Sequence, residues 1–480
     1  MVLPPVDHEC SLQKFVSDLA ERLEKLEHEN ERLKKALYGK RSERSKLPRV
    51  QVAAPAPPEQ IQETRRARAK AKAETPTVRV EHKVPAAERR CTVCGRTDLT
   101  TIGTGKSSFV IEYVSSQLVR EEHVQEVLRC PCGSCVITAP GAPKVVEKGQ
   151  YGASFLAHLA VAKCADHLPI YRIEKELARK GSPVARSTMN ELLHRCATLV
   201  EPISKRLSDL ICRREIVLAD ETRLQMQNVP TGKSKIGFMW TFGASDELGG
   251  VDISYHFANS RSGSTPKALL EGSAGVLLVD GYSGYNDVEK VSSRRRAACY
   301  AHVRRYFFES LKTAPIAQEA MDLITALYRV EHDAKERGLS ESSHLELRRL
   351  RAAPIHERLR AWLDDQIARH PPKSPIGKAI RYTLGQRDAL GVFLDDARVP
   401  LDNNASERAL RRVALGRKNF LFVGDVAAGK SLAGLYSVVA TCEARGINPF
   451  EYLVDVLPRV QDQPASRLDE LLPGAWAAAR

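Results

Sequence analysis

Between residues 11 and 38 leucine stands at every seventh position, Leu12, Leu19, Leu26 and Leu33, and Val16, Leu23, Asn30 and Leu37 fill the second seam of the same heptads. This apolar period predicts a coiled-coil helix over residues 1–40. Arg22 would face Glu27 of a partner helix and Glu29 would face Lys34, which suits a parallel pair, and the single Asn30 in the seam favours a dimer in fixed register. A helical period returns from Tyr151 to about Leu210, where "LPIYRIEKELARKG" leads through "SPVA" into "RSTMNELLHRCATLV". Gly181 is expected to end the first of these helices, and Thr188 with Glu191 to form a capping box at the start of the second. Over residues 150–210 the pattern gives a helix-turn-helix shape, which serves DNA reading and also occurs as a plain helical hairpin.

The centre of the chain changes period. "EIVLADET" and "GVLLVDGY" each set four apolar residues directly before an acid, Asp220 and Asp280, as buried strands do where they emerge at a site. Between them, "KIGFMWTFGAS" and "VDISYHFANS" read as a hairpin joined by "DELGG", with Ile253, Tyr255 and Phe257 on one face, followed by a helix at "TPKALLEG". "RRRAACYAHVRRYFFESL" predicts a further strand running into a helix, and about 90 mainly helical residues follow up to Pro400. In "PLDNNASERALRR", Asn404 is expected to cap a helix, with Glu407 at its third position and Arg411 one turn beyond Glu407 on the same face.

Composition narrows the class. Of the 480 residues, 43% are hydrophobic and 28% charged, as in soluble globular proteins. No apolar run approaches the roughly 18 residues of a membrane span, and the start "MVLPPVDHEC" lacks the features of a signal peptide, which points to the cytoplasm and away from a membrane. The net charge of +14 is concentrated: residues 40–90 hold 14 Lys and Arg against 6 Asp and Glu. The stretch over 41–88, with "APAPPEQ" and "RRARAKAKAE", reads as a basic linker, and such a tether beside DNA also contacts phosphates.

Five of the eleven cysteines fall between Cys91 and Cys135, and the other six are scattered singles of the kind found reduced inside cytosolic proteins. "CTVCG" (Cys91, Cys94) and "CPCGSC" (Cys130, Cys132, Cys135) enclose a polar, β-branched stretch, the layout of a zinc ribbon over 89–140. The x₂ spacing of the first knuckle selects Cys132 and Cys135 as the second pair, with Cys130 as the alternative Zn²⁺ ligand. Near the C-terminus "GDVAAGKS" (Gly424–Ser431) satisfies the phosphate-loop pattern G-x-x-x-x-G-K-[ST]. Only 49 residues follow it, too few for a nucleotide-binding sheet when one βαβ unit takes about 30. The only Walker-B-like segment, "VLLVD", is already a core strand, so an NTPase is disfavoured.

Taken together, "VLADET", "VDGYSGYN", "CYAHVRRYFF", "LDNNASERALRRVALGRKNFLF" and "RLDELLP" resemble, in order, the motifs of the transposases of the insertion-sequence sixty-six group, as do "LKKALYGKRSER" and "ADHLPIYRIEKELAR". The resemblance covers nearly the whole chain and implies an α/β fold: an RNase H-like mixed-sheet catalytic core over 211–430, interrupted by a helical insertion at about 296–400 and followed by a C-terminal helical element at 431–480. It implies that Asp220, Asp280 and Glu407 form a DDE triad holding two Mg²⁺ ions for metal-dependent cleavage at element ends and strand transfer into target DNA. Hard carboxylate oxygens suit that pair of ions. His302, Arg304 and Arg305 are read as groups that orient the acids or contact phosphate; Asn403, Asn404, Arg411, Arg417 and Lys418 are read as contacting DNA or orienting Glu407. The implied partners are DNA, a second copy in a homodimer or higher oligomer, and helper proteins as candidates. The competing reading is a catalytically inactive, zinc-containing DNA-binding protein.

Overall fold

The four apolar residues before Asp220 begin the strand on which the rest of the sheet is built. The computed structural model describes residues 151–228, 233–246 and 249–480, together with Val127–Arg129, Val136–Thr138 and Val145. The heptads, the basic linker and all five clustered cysteines lie outside these residues.

In chain order the strands are β1 (Val127–Arg129) and β2 (Val136–Thr138), then β3 (Ile216–Asn228), β4 (Lys233–Ser245), β5 (Val251–Ala258), β6 (Ala274–Val279), β7 (Ser293–Ala298) and β8 (Phe422–Val423). Helices α1 (Ala153–Cys164), α2 (Ile170–Arg179) and α3 (Arg186–Arg213) precede β3, and α4 (Ser264–Leu270) lies between β5 and β6. Helices α5 (Tyr300–Ser310), α6 (Ala317–Glu336), α7 (Glu341–Leu347), α8 (Ala353–Gln366) and α9 (Pro375–Leu384) fill the stretch before α10 (Asn404–Phe420). The chain ends in α11 (Val426–Ala444), α12 (Pro449–Arg459) and α13 (Pro473–Ala478).

The main sheet runs β5-β4-β3-β6-β7: β3, β4 and β5 form an antiparallel meander, while β6 and β7 continue parallel to β3. It is a mixed sheet in a mixed α/β protein, as the family resemblance implies. Alternation along β3 divides its neighbours. Val217 and Ala219 face a core with Trp240, Phe242, Leu270 and Tyr285, while Leu224 and Met226 face a second core built with α1, α3 and α11. A third core joins Leu278, Ala297 and Ala298 to α5, α6, α8 and α9.

Helix ends show where local signals prevail and where they do not. Gly181 adopts φ +77° and the N–H of Ser182 returns to the carbonyl of Leu177, so α2 ends in the glycine motif that Gly181 predicts. The Thr188 capping box does not form. Helix α3 starts three residues earlier, capped at Ala185 instead of Thr188 with no side-chain bond, and Arg186 pairs with Glu174 of α2 at 2.7 Å. The helix then runs for 28 residues through Pro202, because its buried stripe from Met189 to Cys212 serves two of the cores. The predicted stripe of Ile253, Tyr255 and Phe257 does pack inward on β5. That edge strand is covered by α11: Ser437 Oγ accepts from the Tyr255 N–H at 2.8 Å and Thr441 Oγ1 from the Ile253 N–H at 3.0 Å. The described cysteines, Cys164, Cys196, Cys212, Cys299 and Cys442, are buried and free, as expected for reduced singles. No helix among the described residues is long and apolar enough to cross a membrane.

Candidate active site

One edge of β3 is paired by β4 from Leu218 to Asn228, whereas the other edge is shared. Strand β6 pairs with Ile216–Leu218 and β8 with Gln225 and Met226, which leaves residues 219–224 without a strand on that side. Backbone carbonyls in such a gap need other donors. Helix α10 supplies them: Asn403 Nδ2 donates to the Ala219 carbonyl at 2.8 Å, and Arg417 Nη1 to the Arg223 carbonyl at 2.6 Å and to Thr222 Oγ1 at 2.9 Å. The two ends of α10 are thereby fastened to β3 on either side of Asp220. Of the residues expected to orient the acids, Asn403 and Arg417 make these bonds, while Arg411 and Lys418 are exposed.

Asp280 reaches the same opening by register. Leu218 pairs with Leu278 on the parallel neighbour, so two residues further along, Asp220 within β3 stands beside Asp280, which directly follows the carboxyl end of β6. Asp280 Oδ1 accepts the N–H of Tyr282 at 2.9 Å, and Arg296 Nη2 donates to the Asp280 carbonyl at 2.6 Å, fixing the turn that follows. A Cβ at Gly281 would lie 2.4 Å from the Tyr382 ring, so glycine there lets that ring close over the turn.

Glu407 occupies the first turn of α10, one position later than expected. The N-cap is Asn403, whose amide is bound to β3 instead of capping, and Glu407 donates its N–H to the Asn403 carbonyl at 3.1 Å. Asn404 is the first helical residue and donates its N–H to Asp402 Oδ1. The predicted Asn404 cap with Glu407 at the third position is thus displaced by a tertiary bond. Glu407 Oε1 lies 3.7 Å from His302 Nδ1 and 3.6 Å from Arg305 Nη2, both on α5. Neither contact is a hydrogen bond, and both Glu407 Oε1 and His302 Nδ1 are buried without a partner.

The carboxylates share one electrostatic environment. Burial, reinforced by the charges of Glu221, Asp280 and Glu407, pushes the Asp220 pKa up to about 7, although the Glu221 N–H donated to its Oδ1 at 2.8 Å works the other way. Among the described residues, no three His, Cys, Asp or Glu side chains stand close enough to hold a metal ion as placed. The acids therefore repel across a shared space without closing on a common point. Hard oxygen donors, an orphaned buried Glu407 oxygen and a carboxylate disfavoured in its charged form all fit a divalent cation such as Mg²⁺.

Glu221, absent from the expected site, lies beside it. The parity of Val217, Ala219 and Glu221 places this acid on a buried face of β3, and that alternation was its readable signal. Its side chain is 1% exposed and accepts from Arg261 and from Tyr285 Oη.

The Walker-like loop is not a loop. Asp425 caps α11 by accepting the Ala428 N–H at 2.7 Å, and Val426–Ser431 form the first turns of that helix. Ser431 Oγ bonds His194 Nδ1 at 3.1 Å.

A family model described as "Transposase IS66 family" matches residues 148–431, the span that contains every element of this site. The chain belongs to that family. Two further models match, "zinc-finger binding domain of transposase IS66" at residues 88–133 and "IS66 C-terminal element" at 437–473. Among similar proteins of Sinorhizobium fredii (strain NBRC 101917 / NGR234), "Uncharacterized protein y4jD" is 32% identical over 406 residues, covering 82% of this chain and 79% of that protein. "Uncharacterized protein y4qI" from the same strain is 32% identical over 353 residues, covering 70% of this chain and 65% of that protein. Membership of a transposase family with a zinc-finger region supports action on DNA and Zn²⁺ as a ligand.

Proposed function

We propose that the chain is a DNA transposase that cleaves the ends of an insertion sequence and joins them to target DNA at a DDE site of Asp220, Asp280 and Glu407. The observation that carries this reading is the opening at the edge of β3, where residues 219–224 lack a strand on one side and the charges of Asp280, just after β6, and Glu407, on α10, both act on Asp220. The sheet order β5-β4-β3-β6-β7, with its antiparallel meander followed by parallel strands, supports an RNase H-like core over 211–430 with a helical insertion at about 296–400.

Two Mg²⁺ ions held by these acids would supply activation of the attacking water or 3′-hydroxyl and stabilisation of the leaving oxygen. The chain's own residues do the rest. Asn403 and Arg417 hold α10 against β3 and so fix Glu407 relative to Asp220; Arg296 and the Tyr282 N–H fix Asp280. Arg305 gives Glu407 a cationic neighbour and His302 lies beside the same oxygen, while Arg305, Arg411 and Lys418 present exposed charge to a phosphate backbone. Asn404 is assigned to the same DNA-facing helix start.

The reading extends to the remaining regions: a coiled-coil dimerisation helix at 1–40, a basic linker at 41–88, a zinc ribbon at 89–140, a helix-turn-helix-like region at 150–210 and a C-terminal helical element at 431–480. The ribbon binds Zn²⁺ through Cys91, Cys94 and two of Cys130, Cys132 and Cys135.

The test is Mg²⁺-dependent cleavage of a DNA duplex carrying the element end by Asp220→Asn, Asp280→Asn and Glu407→Gln proteins. Each is expected to lose at least about a hundredfold in rate, roughly 3 kcal/mol, while binding the end within a few-fold of wild type. Near-normal cleavage by Glu407→Gln would defeat the assignment, and a wild type that binds ends without cutting them would favour the inactive DNA-binding alternative.

A further inference from the structure

Arg261, on the loop after β5, is held more tightly than an exposed arginine requires. Its Nε donates to Glu221 Oε1 at 2.7 Å, and its Nη2 lies 2.5 Å from the same oxygen. Its guanidinium lies over the Tyr282 ring, 3.9 Å from the centroid, and Tyr282 Oη donates to its backbone carbonyl. The other Glu221 oxygen accepts from Tyr285 Oη at 2.8 Å, and Tyr285 meets Trp240 edge-on at 5.8 Å. The loop itself is pinned against the turn after Asp280: a Cβ at Gly263 would lie 2.3 Å from the Gly284 carbonyl oxygen.

The two partners are unequally buried. The Glu221 side chain is 1% exposed and that of Arg261 is 43% exposed. Burying a carboxylate costs several kcal/mol, and what this one obtains is a single orientation of an arginine whose Nη1 has no protein partner among the described residues. Arg261 also lies within the field of Asp280. A free arginine beside Asp280 would collapse onto it and compete with cations for its oxygens. Bound to Glu221 and stacked on Tyr282, it keeps one edge open without doing so.

We propose that Arg261 is a phosphate-binding residue at the rim of the acidic site, contacting one phosphodiester of the DNA strand next to the cleaved bond, and that Glu221 and Tyr285 position it. The planar, permanently charged fork of arginine suits that ligand. The inference rests on the transposase reading and adds to it a substrate contact outside the triad.

The test uses the full chain and a duplex with the element's terminal sequence, its linkages near the cleavage site replaced one at a time by uncharged methylphosphonate. Binding is measured with Mg²⁺ withheld, so that cleavage plays no part. For wild type, neutralising one linkage is expected to weaken binding about tenfold, the size of a charged hydrogen bond. Arg261→Ala should bind unmodified DNA about tenfold more weakly and lose nothing further at that linkage. Glu221→Gln should lose most of the discrimination while keeping binding to other linkages. Arg261→Lys, which keeps the charge and guards against a folding defect, should recover part of it. Losses that add independently at every linkage in Arg261→Ala, or discrimination equal to wild type, would overturn the inference while leaving the triad untouched. Wild-type binding indifferent to every linkage would overturn it together with the reading beneath it.

Discussion

Asp220 is protonated up to about pH 7 because burial and three neighbouring carboxylates disfavour its charge. The unfolded side chain ionises near pH 4, so between about pH 4 and 7 the unfolded state binds fewer protons than the folded one, and stability falls as pH rises through that window. Asp220→Asn should therefore stabilise the metal-free protein more at pH 8 than at pH 5, measured by thermal unfolding; equal shifts at both values would contradict the raised pKa. Added Mg²⁺ should narrow the difference by stabilising only the wild type. At this scale the sequence was informative where an apolar run stops at an acid, which marked Asp220 and Asp280, and the motif series supplied Glu407. It was less informative at "DNN", because two adjacent asparagines are equally good caps. A bond from Asn403 to Ala219, far away in the chain, decides between them. Glu221 was overlooked because an acid following an acid reads as solvent-facing, although its strand parity places it in the core with Trp240 and Tyr285.

Among the elements, α11 best separates a sequence motif from the structure that contains it. Eight residues spell a phosphate loop, but Asp425 caps a helix there, and Gly429 serves packing. A Cβ at Gly429 would lie 2.3 Å from Phe257 Cδ1, and one at Gly237 would lie 2.4 Å from Phe257 Cζ, so the ring fills a slot between two glycines. Phe257 is 6% exposed and has little room to yield. Gly429→Ala should then cost about 1–3 kcal/mol despite the better helix propensity of alanine. Lys430→Ala, on the exposed side, should change stability by less than about 0.5 kcal/mol and leave cleavage nearly intact. Chemical denaturation of both variants measures the contrast, and a severe Lys430→Ala defect in cleavage would reopen the nucleotide-binding reading. The strand, hairpin, helix, strand order from β3 to β7 was legible because period-2 and period-3.6 patterns alternate cleanly there. The capping box at Thr188 was not, because α3 answers to a stripe of buried residues longer than its local start signal.

Across the whole molecule, order along the chain was readable and convergence in space was not: no periodicity reveals that β6 and β8 share one edge of β3 and leave a gap for α10. The N-terminal third presents the reverse situation, with motifs that are specific and few described residues. Strands β1 and β2 pair antiparallel with Arg129 opposite Val136, while Cys130, Cys132 and Cys135 lie outside the described residues. The zinc-finger match spans 88–133 and thus takes in Cys91, Cys94, Cys130 and Cys132, whereas the x₂ spacing of the first knuckle favours Cys132 with Cys135. A structural site needs four ligands, and thiolate sulfur selects zinc over the hard cations that suit carboxylates. Metal analysis should find one zinc per chain, unchanged in Glu407→Gln and lost in Cys91→Ser or Cys94→Ser. Comparing Cys130→Ser with Cys135→Ser then identifies the fourth ligand, since the variant that keeps its zinc has lost a spare thiol. Protein purified without chelators that contained no zinc would refute the ribbon, and zinc lost on mutating Glu407 would mean that the two metal sites are not independent.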